Sequence, residues 1–489
     1  MENITIRTAA MADLEKIAQV EAQCFPPAEA ASKKEFEERL SHYANHFWLM
    51  FEGEELISFV DGFVTDSPDL TDEMYADAAM HDENGAWQMI FGVNTIPSRR
   101  GKGYAGRLIE EAISDARSQG RKGLVLTCKE HMIPFYAKFG FADEGVSGST
   151  HGNVVWHQMR LTFRKVLVSF TCDEATRRRL EEAMGKTCEF LFRDHSWSQE
   201  DYIDALRSAH IIIGEPRNED FAYCEKLELM HSPSSGVNYY VQGGCFPKEA
   251  ILCSMSGGYG NVLAEHLLGM VLSLCRRLPE YRDQQHQHKW ELRKYDKQLE
   301  GSTLLILGAG DIGTTVARWM RPMVGEIIGV RRVARDHPDC YDRMVTPDGL
   351  DECLGEADII VCALPHTPET AGLLNERRLR MMKKDSVLVN GGRGSLIDQE
   401  ALCRLLEEGH FWGVGLEVTS PEPLPAEHQL WDQPRLIITP HAAGNSFAPD
   451  SPLVRKIWDF IIGNVSGYLR GEKLRNKIDF STGYRETQL

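Results

Sequence analysis

The most restrictive feature of the sequence is a series of short apolar runs that begins at residue 304 and is interrupted early by a glycine-rich turn. The turn, Gly308-Ala309-Gly310-Asp311-Ile312-Gly313, lies between the first run and a helix predicted over 314–320. Strands that alternate with helices form a parallel sheet covered on both faces. The runs predict six strands of a doubly wound nucleotide-binding sheet, at 304–307, 327–330, 359–363, 387–390, 413–416 and 436–439.

The glycine-rich turn has the spacing of a dinucleotide-binding loop. Its glycines let the backbone approach a pyrophosphate, which the N-terminus of the following helix holds through free N–H groups and its dipole. The cofactor-binding residues predicted here are Gly308, Gly310, Asp311, Ile312 and Gly313.

The next strand ends where many NAD enzymes carry an acidic residue for the ribose 2'-hydroxyl. This chain has Arg331 and Arg332 there, with Arg335 close behind. Two guanidinium groups suit a 2'-phosphate. We therefore expect NADP(H), with NAD(H) second, unless these arginines only cap an exposed loop.

Composition restricts the partners and the number of domains. The chain has 489 residues, so about three structural units are expected. Its formal net charge of -18 opposes binding to nucleic acid and to anionic membranes. The 12 cysteines form no C-x-x-C pair, so we expect neither a metal site nor a disulfide framework. No long apolar stretch or basic leader is present, and we expect a cytoplasmic protein.

The domain boundaries follow from where strand-like runs stop and restart. One run spans 154–162 and another begins at 165 without a flexible linker between them. We expect a first domain over 1–162, then a substrate domain over 165–261 that is completed by 446–489, with a nucleotide-binding domain over 262–445 inserted between its two parts.

Several motifs in the C-terminal two thirds point to one family. They include Leu364-Pro365-His366-Thr367-Pro368-Glu369-Thr370, Val389-Asn390-Gly391-Gly392-Arg393-Gly394 and Thr439-Pro440-His441-Ala442-Ala443-Gly444. From about residue 165 to the end, the chain resembles the D-isomer-specific 2-hydroxyacid dehydrogenases. The resemblance implies an α/β fold with a Rossmann nucleotide-binding domain and a flavodoxin-like substrate domain.

The catalytic triad of that family matches Arg393, Glu422 and His441. Reduction of a 2-oxo acid needs a cation for the carboxylate and an acid that protonates the alkoxide, roles that suit Arg393 and His441. A carboxylate at Glu422 would orient the imidazole and favour its charged form. Taken singly, each residue could equally be a loop, turn or capping residue.

The resemblance also implies contacts outside the triad. Ser235, Gly236 and Val237 would offer backbone donors to the substrate carboxylate, and the segment 261–290 would form a homodimer arm on the nucleotide-binding domain. Glu417 stands where many relatives carry Asp near the nicotinamide. The remaining cofactor contacts implied by the resemblance are Leu364, Pro365, Thr370, Gly392 and Glu417.

A second glycine-rich turn lies near residue 100 and is built differently. Arg100, Gly103 and Ala105 have the pattern R-x-x-G-x-A after a strand-like run at 87–93 and before an amphipathic helix, where successive N–H groups can form an anion nest. Over residues 1–162 the chain resembles the GNAT acetyltransferases, α/β proteins that bind acetyl-CoA with this turn. The predicted contacts are Val93, Arg100, Gly101, Lys102, Gly103 and Ala105.

Residues 128–141 most resemble the arylalkylamine N-acetyltransferases, which act on primary amines. Their tyrosine that protonates the departing thiolate matches Tyr136, although a core tyrosine is the alternative. Their paired relay histidines align with Trp87 and Met89, which accept no proton. The candidate replacement bases are His81, Glu83, Glu130 and His131.

These patterns support a bifunctional enzyme, an acetyl-CoA-dependent N-acetyltransferase fused to an NADP(H)-dependent 2-oxo-acid reductase. In a second interpretation the N-terminal part is an acyl-CoA-binding regulatory module. In a third, the dehydrogenase fold is a nucleotide-sensing interaction module, as in the C-terminal binding protein corepressors. Glyoxylate and hydroxypyruvate are the first substrates to test, and the amine is left open.

Overall fold

A computed structural model describes residues 4–27, 29–149, 154–333, 337–444, 448 and 450–486. It is an α/β protein with one mixed and two parallel sheets, which confirms the predicted fold class. Arg335 and the predicted domain boundary between residues 445 and 446 lie outside the described residues.

The first unit is built on a seven-stranded sheet with the order β1-β2-β3-β4-β5-β7-β6. Its strands are β1 (Ile4–Thr8), β2 (Phe47–Glu52), β3 (Glu55–Thr65), β4 (Trp87–Thr95), β5 (Gly123–Cys128), β6 (Ala142–Val146) and β7 (His157–Thr162). Its helices are α1 (Leu14–Cys24), α2 (Lys33–Tyr43), α3 (Glu73–Ala76), α4 (Tyr104–Ser118) and α5 (Ile133–Ala137). One aromatic-rich core fills the space between the helices and the sheet.

Strands β4 and β5 are the only parallel pair among the described strands of this sheet. Their pairing ends at Ile90 and Leu126, although both strands continue. On the other side of β4, the register with β3 shifts next to Phe91, which is an extra residue in the ladder. Such a bulge bends a strand, and here the two parallel strands separate from this point onward.

The second unit is a five-stranded parallel sheet with the order β12-β11-β10-β8-β9. Its strands are β8 (Arg164–Val168), β9 (Cys188–Phe192), β10 (Ile211–Ile213), β11 (Leu229–His231) and β12 (Ile251–Cys253). Helices α6 (Glu174–Met184), α7 (Gln199–Ser208) and α8 (Asn238–Gly243) belong to it.

The third unit is a seven-stranded parallel sheet with the order β15-β14-β13-β16-β17-β18-β19. The strands are β13 (Thr303–Leu307), β14 (Glu326–Val330), β15 (Arg343–Val345), β16 (Ile359–Cys362), β17 (Val387–Asn390), β18 (Gly413–Leu416) and β19 (Leu436–Ile438). The helices are α9 (Gly260–Cys275), α10 (Leu278–His286), α11 (Asp311–Met320), α12 (Leu350–Glu356), α13 (Glu376–Met381) and α14 (Gln399–Glu407).

The sequence predicted six strands here and missed β15. This strand has three residues, all half-buried, and it lies at the edge of the sheet beside β14. An edge strand needs no continuous apolar run, so hydrophobic patterning gave no signal.

After the third sheet the chain returns to the second unit through α15 (Pro452–Leu469), followed by β20 (Ile478–Asp479) and β21 (Tyr484–Arg485). The apolar face of α15, with Ile457, Trp458 and Ile461, packs in one cluster with Val166 and Ile211 of the second sheet. Residues distant in sequence thus complete one core. No helix in the described part of the chain has the length and apolarity needed to cross a membrane.

The first and second units contact each other through polar groups. Arg117 of α4 donates to the carbonyls of Gly185 and Lys186, with 3.1 Å to the first, and its guanidinium covers the ring of Phe163. Lys186 also forms an ion pair with Glu110 at 3.4 Å. The short connection between β7 and β8 is therefore supported by side-chain contacts.

Candidate functional sites

Parallel strands carry their carboxyl ends to one edge of a sheet, and ligands of doubly wound folds bind there. In the third sheet this edge collects almost every residue predicted for the dehydrogenase site, because each follows a strand end. These residues, in chain order, are Gly308, Gly310, Asp311, Ile312, Gly313, Arg331, Arg332, Leu364, Pro365, Gly392, Arg393, Glu417 and His441.

The three glycines of the first turn occupy three different environments. Gly308 has φ +101°, and a Cβ there would lie 2.7 Å from the Ala363 carbonyl oxygen. A Cβ at Gly313 would lie 2.3 Å from the Gly308 oxygen, so only glycine lets α11 pack this closely. A Cβ at Gly310 meets nothing within 4 Å. The open space at Gly310, beside the unpaired N–H groups that begin α11, fits the pyrophosphate of a dinucleotide.

The turn lies where the strand order reverses, between β13 and β16. Leu364 and Pro365 follow β16 on the opposite side of this crevice. The Thr370 hydroxyl donates to the Pro365 carbonyl at 2.7 Å and accepts from the Thr367 N–H at 2.8 Å. Thr370 therefore fixes the shape of the loop that faces the glycine turn.

The two arginines after β14 differ in their surroundings. The Arg331 N–H donates to the Val345 carbonyl at 3.1 Å, and the Arg332 side chain is exposed. A hydrogen bond from Thr367 lowers the pKa of the exposed Glu369 carboxyl, and the charge of Arg332 lowers it further. Arg332 is therefore close to the loop on the far side of the crevice.

His441 and Glu422 form the hydrogen bond that the resemblance implies. His441 Nδ1 lies 2.8 Å from Glu422 Oε2, and Glu422 Oε1 accepts from the Thr419 N–H at 3.0 Å. A carboxylate only accepts, so Nδ1 carries the hydrogen and Nε2 is left to exchange a proton with a ligand. Both side chains are partly exposed, at 49% for His441 and 39% for Glu422.

His441 has φ +51°, a left-handed conformation that is costly for a residue with a side chain. Its N–H donates to the carbonyls of Glu417 and Thr439, both at 3.0 Å. The buried Glu417 carboxylate accepts from the Ala443 N–H at 2.6 Å and from the Thr439 hydroxyl. Glu417 therefore anchors the loop on both sides of His441, and its contact with a nicotinamide stays a prediction.

Sequence reasoning missed His266, which belongs to the same network. This residue on α9 places Nε2 3.0 Å from the Thr439 hydroxyl and 3.4 Å from Glu417 Oε2. Periodicity gave no signal, because His266 lies within a helix that reads as an apolar core element.

Arg393 lies between the third and second units. Its Nη1 donates to the Gly392 carbonyl at 2.8 Å, and a Cβ at Gly236 would lie 2.0 Å from Nη2. Only glycine at 236 admits the guanidinium there. Burial lowers the pKa of Arg393, while the charge of Glu422 raises it. The structure thus brings Arg393 to the predicted segment Ser235, Gly236 and Val237, which precedes α8.

A second contact closes the same cleft. Asn238 at the start of α8 donates from Nδ2 to the His366 carbonyl at 3.1 Å, and His366 Nδ1 lies 2.6 Å from the Ser395 hydroxyl. The two units therefore meet at the edge that carries Arg393, Glu422 and His441.

The first unit contains a cavity of about 870 Å³ at the point where β4 and β5 separate. That volume suits a small-molecule ligand. Of the residues predicted to bind acetyl-CoA or to act on it, the cavity is lined by Val93, Arg100, Gly101, Gly103, Ala105 and Tyr136. Lys102 lies in the same loop.

The loop before α4 has an unusual backbone. Gly101 and Gly103 have φ +80° and +83°, and Gly103 caps the helix that starts at Tyr104. Left-handed glycines beside a helix N-terminus form an anion-binding nest. The Arg100 guanidinium donates from Nε to the Thr95 carbonyl at 3.1 Å, so part of its hydrogen-bonding capacity holds the loop itself.

Tyr136 on α5 lines the cavity and is 6% exposed. Burial, with the nearby Cys128 and Tyr75, raises the pKa of its phenol. Burial also raises the pKa of the Cys128 thiol to about 12. Tyr136 is therefore protonated at neutral pH and can donate, as a general acid must.

The four candidate bases do not lie at one site in the structure. His131 lines the cavity, whereas His81, Glu83 and Glu130 do not. Trp87 and Met89, at the positions of the relay histidines, also lie outside the lining. His81 and Glu83 precede β4 and so lie toward the opposite end of the strand from the loop at Gly101.

His81 and Glu83 instead join His46 in a cluster whose ligand atoms lie within 4.8 Å of one another. Burial and then the neighbouring His46 lower the pKa of His81. His81 Nδ1 accepts from the Val64 N–H at 3.2 Å, so Nε2 bears the hydrogen and donates to Glu83. Arg121 also contacts Glu83, at 3.2 Å. A donating Nε2 and a competing cation do not fit a metal site.

The charged residues of the cavity lining that sequence reasoning missed include a group of three. Arg39 on α2 and Asp61 on β3 form a buried ion pair at 2.9 Å, and Glu21 on α1 lies nearby. Burial lowers the pKa of the Arg39 guanidinium, but the charge of Asp61 and other neighbouring groups together raise it by more, so the guanidinium stays charged. All three lie on amphipathic or apolar segments and became visible only once the fold placed them together.

Comparison with known families identifies both parts of the chain. Residues 268–443 match the NAD binding domain of the D-isomer specific 2-hydroxyacid dehydrogenases, and residues 14–141 match the GNAT acetyltransferase family. The chain is similar to a D-isomer specific 2-hydroxyacid dehydrogenase family protein from Aeromonas salmonicida whose crystal structure is known. The two sequences are 32% identical, the structures superpose with a TM-score of 0.59, and the match covers 65% of this chain and 100% of the Aeromonas chain. The chain belongs to the D-isomer-specific 2-hydroxyacid dehydrogenase family. It carries a GNAT domain fused in front of the dehydrogenase part.

Two relatives in sequence extend this result. A Haemophilus influenzae protein assigned to the 2-hydroxyacid dehydrogenases is 30% identical over 284 residues, which is 54% of this chain and 89% of the relative. The glycerate dehydrogenase of Methylorubrum extorquens is 25% identical over 301 residues, which is 58% of this chain and 90% of the enzyme. Both alignments are long enough to span a whole dehydrogenase but not this chain.

Two glycine substitutions in the dehydrogenase turn should differ in their effect on stability. We expect Gly313→Ala to lower the free energy of unfolding by about 1–3 kcal/mol, because the new methyl group displaces α11 from β13. Gly310→Ala should change it by less than about 0.5 kcal/mol, because its methyl group enters open space. Urea unfolding followed by circular dichroism measures both. Equal unfolding midpoints would contradict the close packing at Gly313.

Proposed function

We propose that the chain is a bifunctional enzyme, an NADP(H)-dependent 2-oxo-acid reductase joined to an acetyl-CoA-dependent N-acetyltransferase. The observation that carries the first activity is the hydrogen-bonded pair His441–Glu422 on the same cleft as Arg393. A nucleotide-sensing module can retain the same residues, so turnover separates the two interpretations.

In the reductase, each residue has one task. Arg393 binds the substrate carboxylate with its guanidinium, whose Nη2 already lies against Gly236, and the backbone around Ser235 adds donors. Glu422 holds the His441 ring by Nδ1, so Nε2 gives the proton to the oxygen of the carbonyl as it becomes an alkoxide. The bound nicotinamide cofactor supplies the hydride. Partial burial of Arg393 strengthens its attraction for the carboxylate.

The proposed substrate class rests on similarity to a relative that is named for a small 2-hydroxy acid. The Methylorubrum relative is a glycerate dehydrogenase, and glycerate is a small 2-hydroxy acid. We therefore propose small 2-oxo acids such as glyoxylate and hydroxypyruvate, with His441 as the acid. A homodimer that forms through α9 and α10 remains part of this proposal by family resemblance.

For the first unit we propose acetyl transfer to a primary amine. The nest at Gly101 and Gly103 would hold the pyrophosphate of acetyl-CoA, and Val93 lines the course of its arm. Tyr136 would protonate the leaving thiolate. If the protein bound acetyl-CoA but released no CoA with any amine, the first unit would be a regulatory acyl-CoA-binding module. The absence of the paired relay histidines at positions 87 and 89 is consistent with that alternative.

The role of His441 is tested by His441→Ala. We expect kcat for NADPH oxidation with glyoxylate, hydroxypyruvate, pyruvate or phenylpyruvate to fall by about 10²–10⁴-fold, because the alkoxide loses its proton donor. His195→Ala changes an exposed histidine of the second unit and should leave kcat unchanged. An active His441→Ala variant would contradict the assignment. Tight NADPH binding without turnover by the unmodified protein would favour the sensing module.

The cofactor preference is tested by Arg332→Ala and Arg331→Ala. Loss of one charge-assisted hydrogen bond to the 2'-phosphate should weaken NADPH binding about tenfold and leave NADH binding unchanged. Fluorescence titration of the reduced cofactors gives both dissociation constants. Arg318→Ala, on the exposed side of α11, is the matched control. An equal effect on NADPH and NADH would show that neither arginine reads the 2'-phosphate.

The acid of the acetyl transfer is tested by Tyr136→Phe. We expect CoA release to slow about 10²-fold while acetyl-CoA binding is retained, because only the hydroxyl is removed. Tyr43→Phe is the matched control, since Tyr43 is buried in the same core and its hydroxyl has no hydrogen-bond partner among the described residues. Equal rates for the two variants would contradict a role for Tyr136 as an acid.

A further inference from the structure

The amine loses a proton when it is acetylated, and none of the bases expected from the sequence except His131 faces the cavity. Glu21 does face it. This residue lies in the last turn of α1 and is 5% exposed. Its Oε1 accepts from the Ala31 N–H at 3.0 Å, whereas its buried Oε2 has no hydrogen-bond partner among the described residues. A buried carboxylate oxygen without a donor is costly unless a ligand supplies one.

The neighbours of Glu21 come from three further elements. Asp61 on β3 is paired with Arg39 on α2, and Asn94 on β4 has both side-chain polar atoms buried without a described partner. Cys24 lies on α1, the same helix as Glu21. Its carbonyl is 3.5 Å from Nη2 of Arg100, in the loop before α4. Burial raises the pKa of Asp61, and the charge of Arg39 lowers it.

The lining of the cavity also contains the carboxylates of Glu29, which is paired with Lys129 at 3.0 Å, and of Glu35, which accepts from the Ser32 N–H at 2.6 Å. Of the lining carboxylates, Glu21 has the buried oxygen without a hydrogen-bond partner among the described residues.

We propose that Glu21 is the proton acceptor of the acetyltransferase and that its Oε2 binds the amine of the acceptor substrate. This inference rests on the proposed acetyl transfer and assigns the base that the sequence left open. The buried Oε2 can accept one N–H of an amine, so the nitrogen of the proposed primary amine enters on the α1 side of the cavity.

The proton and bond changes balance without a further reactant. Glu21 Oε2 takes one proton from the amine nitrogen, which forms a bond to the acetyl carbon. The bond between that carbon and the sulfur of acetyl-CoA breaks, and the thiolate takes the Tyr136 proton. Glu21 returns its proton to solvent, and Tyr136 regains one, so the products are an N-acetylamine and CoA.

The electrostatics suit a base that works near neutral pH. Burial, and then the charge of Asp61, raise the pKa of Glu21 to about 7, while the Ala31 N–H, Arg39 and the Asn94 side chain act in the opposite direction. A base with a pKa near the working pH is ionised in part and still binds a proton firmly. The rate should therefore rise with pH through about 7 as Glu21 ionises. Because the pKa of Glu21 is higher in the folded than in the unfolded protein, the free energy of unfolding should fall as the pH rises from the ordinary Glu pKa toward 7.

The test compares Glu21→Gln and Glu21→Asp with Glu15→Gln in the full chain. Glu15 lies on the same helix but is exposed and paired only with Lys33 on the surface. CoA release is followed with acetyl-CoA and each of butylamine, tyramine, putrescine and glycine. We expect Glu21→Gln to lower kcat by about 10²–10⁴-fold and to remove the rise near pH 7, Glu21→Asp to recover part of the rate, and Glu15→Gln to match the unmodified protein.

A second readout needs no amine. In infrared titration, the band of a protonated carboxyl should disappear with a midpoint near pH 7 in the unmodified protein and in Glu15→Gln, and should be absent from Glu21→Gln. Calorimetry should give the same acetyl-CoA affinity for all of these proteins, which shows that the cavity is intact.

The outcomes separate the two claims. If the unmodified protein releases CoA and Glu21→Gln does so at the same rate and with the same pH profile, the role of Glu21 is overturned and acetyl transfer stands. If the unmodified protein releases no CoA with any amine, acetyl transfer fails, and the role of Glu21 fails with it. A Glu21 carboxyl that remains ionised well below pH 7 would also overturn the assignment.

Discussion

The dehydrogenase site depends on the parallel direction of the strands in the third sheet. Parallel strands deliver their carboxyl ends to one edge, so residues separated by more than a hundred positions reach the same edge of the sheet. The glycine turn after β13 and the loop of His441 after β19 share this edge for that reason alone. The strand order reverses beside the Gly308 turn.

The same constraint works on a smaller scale in the first unit. Only β4 and β5 are parallel among the described strands of that sheet, and they separate beyond the bulge at Phe91. Separation leaves a cavity between the strand ends, close to the helix N-terminus at Tyr104. Both proposed activities therefore use the carboxyl ends of parallel strands beside a glycine-rich turn.

Rigid support around each site is supplied by buried acidic groups. Glu417 accepts two hydrogen bonds from the loop that holds His441 in a left-handed conformation. Such a conformation persists only where surrounding contacts determine it. In the first unit, Asp61 holds Arg39 in place, and Glu21 lies beside this ion pair. One buried carboxylate is fully bonded, and the other keeps an unpaired oxygen that faces a cavity.

Prediction from the sequence succeeded where local patterns are strong. The alternation of apolar runs and helices gave the two-domain α/β architecture. The motifs around Gly308, Arg393 and His441 predict a dehydrogenase site, and the fold brings these residues to one edge of the third sheet. The edge strand β15 was missed because three half-buried residues carry no hydrophobic pattern. Glu83 and His81 were plausible bases in sequence, yet they precede β4, and the cavity forms beyond its other end.

The sequence by itself determined the fold class, the order of the units and the residue types in the turns, because these depend on local periodicity and on glycine at special backbone positions. Tertiary structure decided which charged groups meet. Glu21, Arg39 and Asp61 come from three different elements, and each is unremarkable in its own segment. The fold buries all three in the lining of one cavity. Long-range packing creates that environment, and no local pattern encodes it.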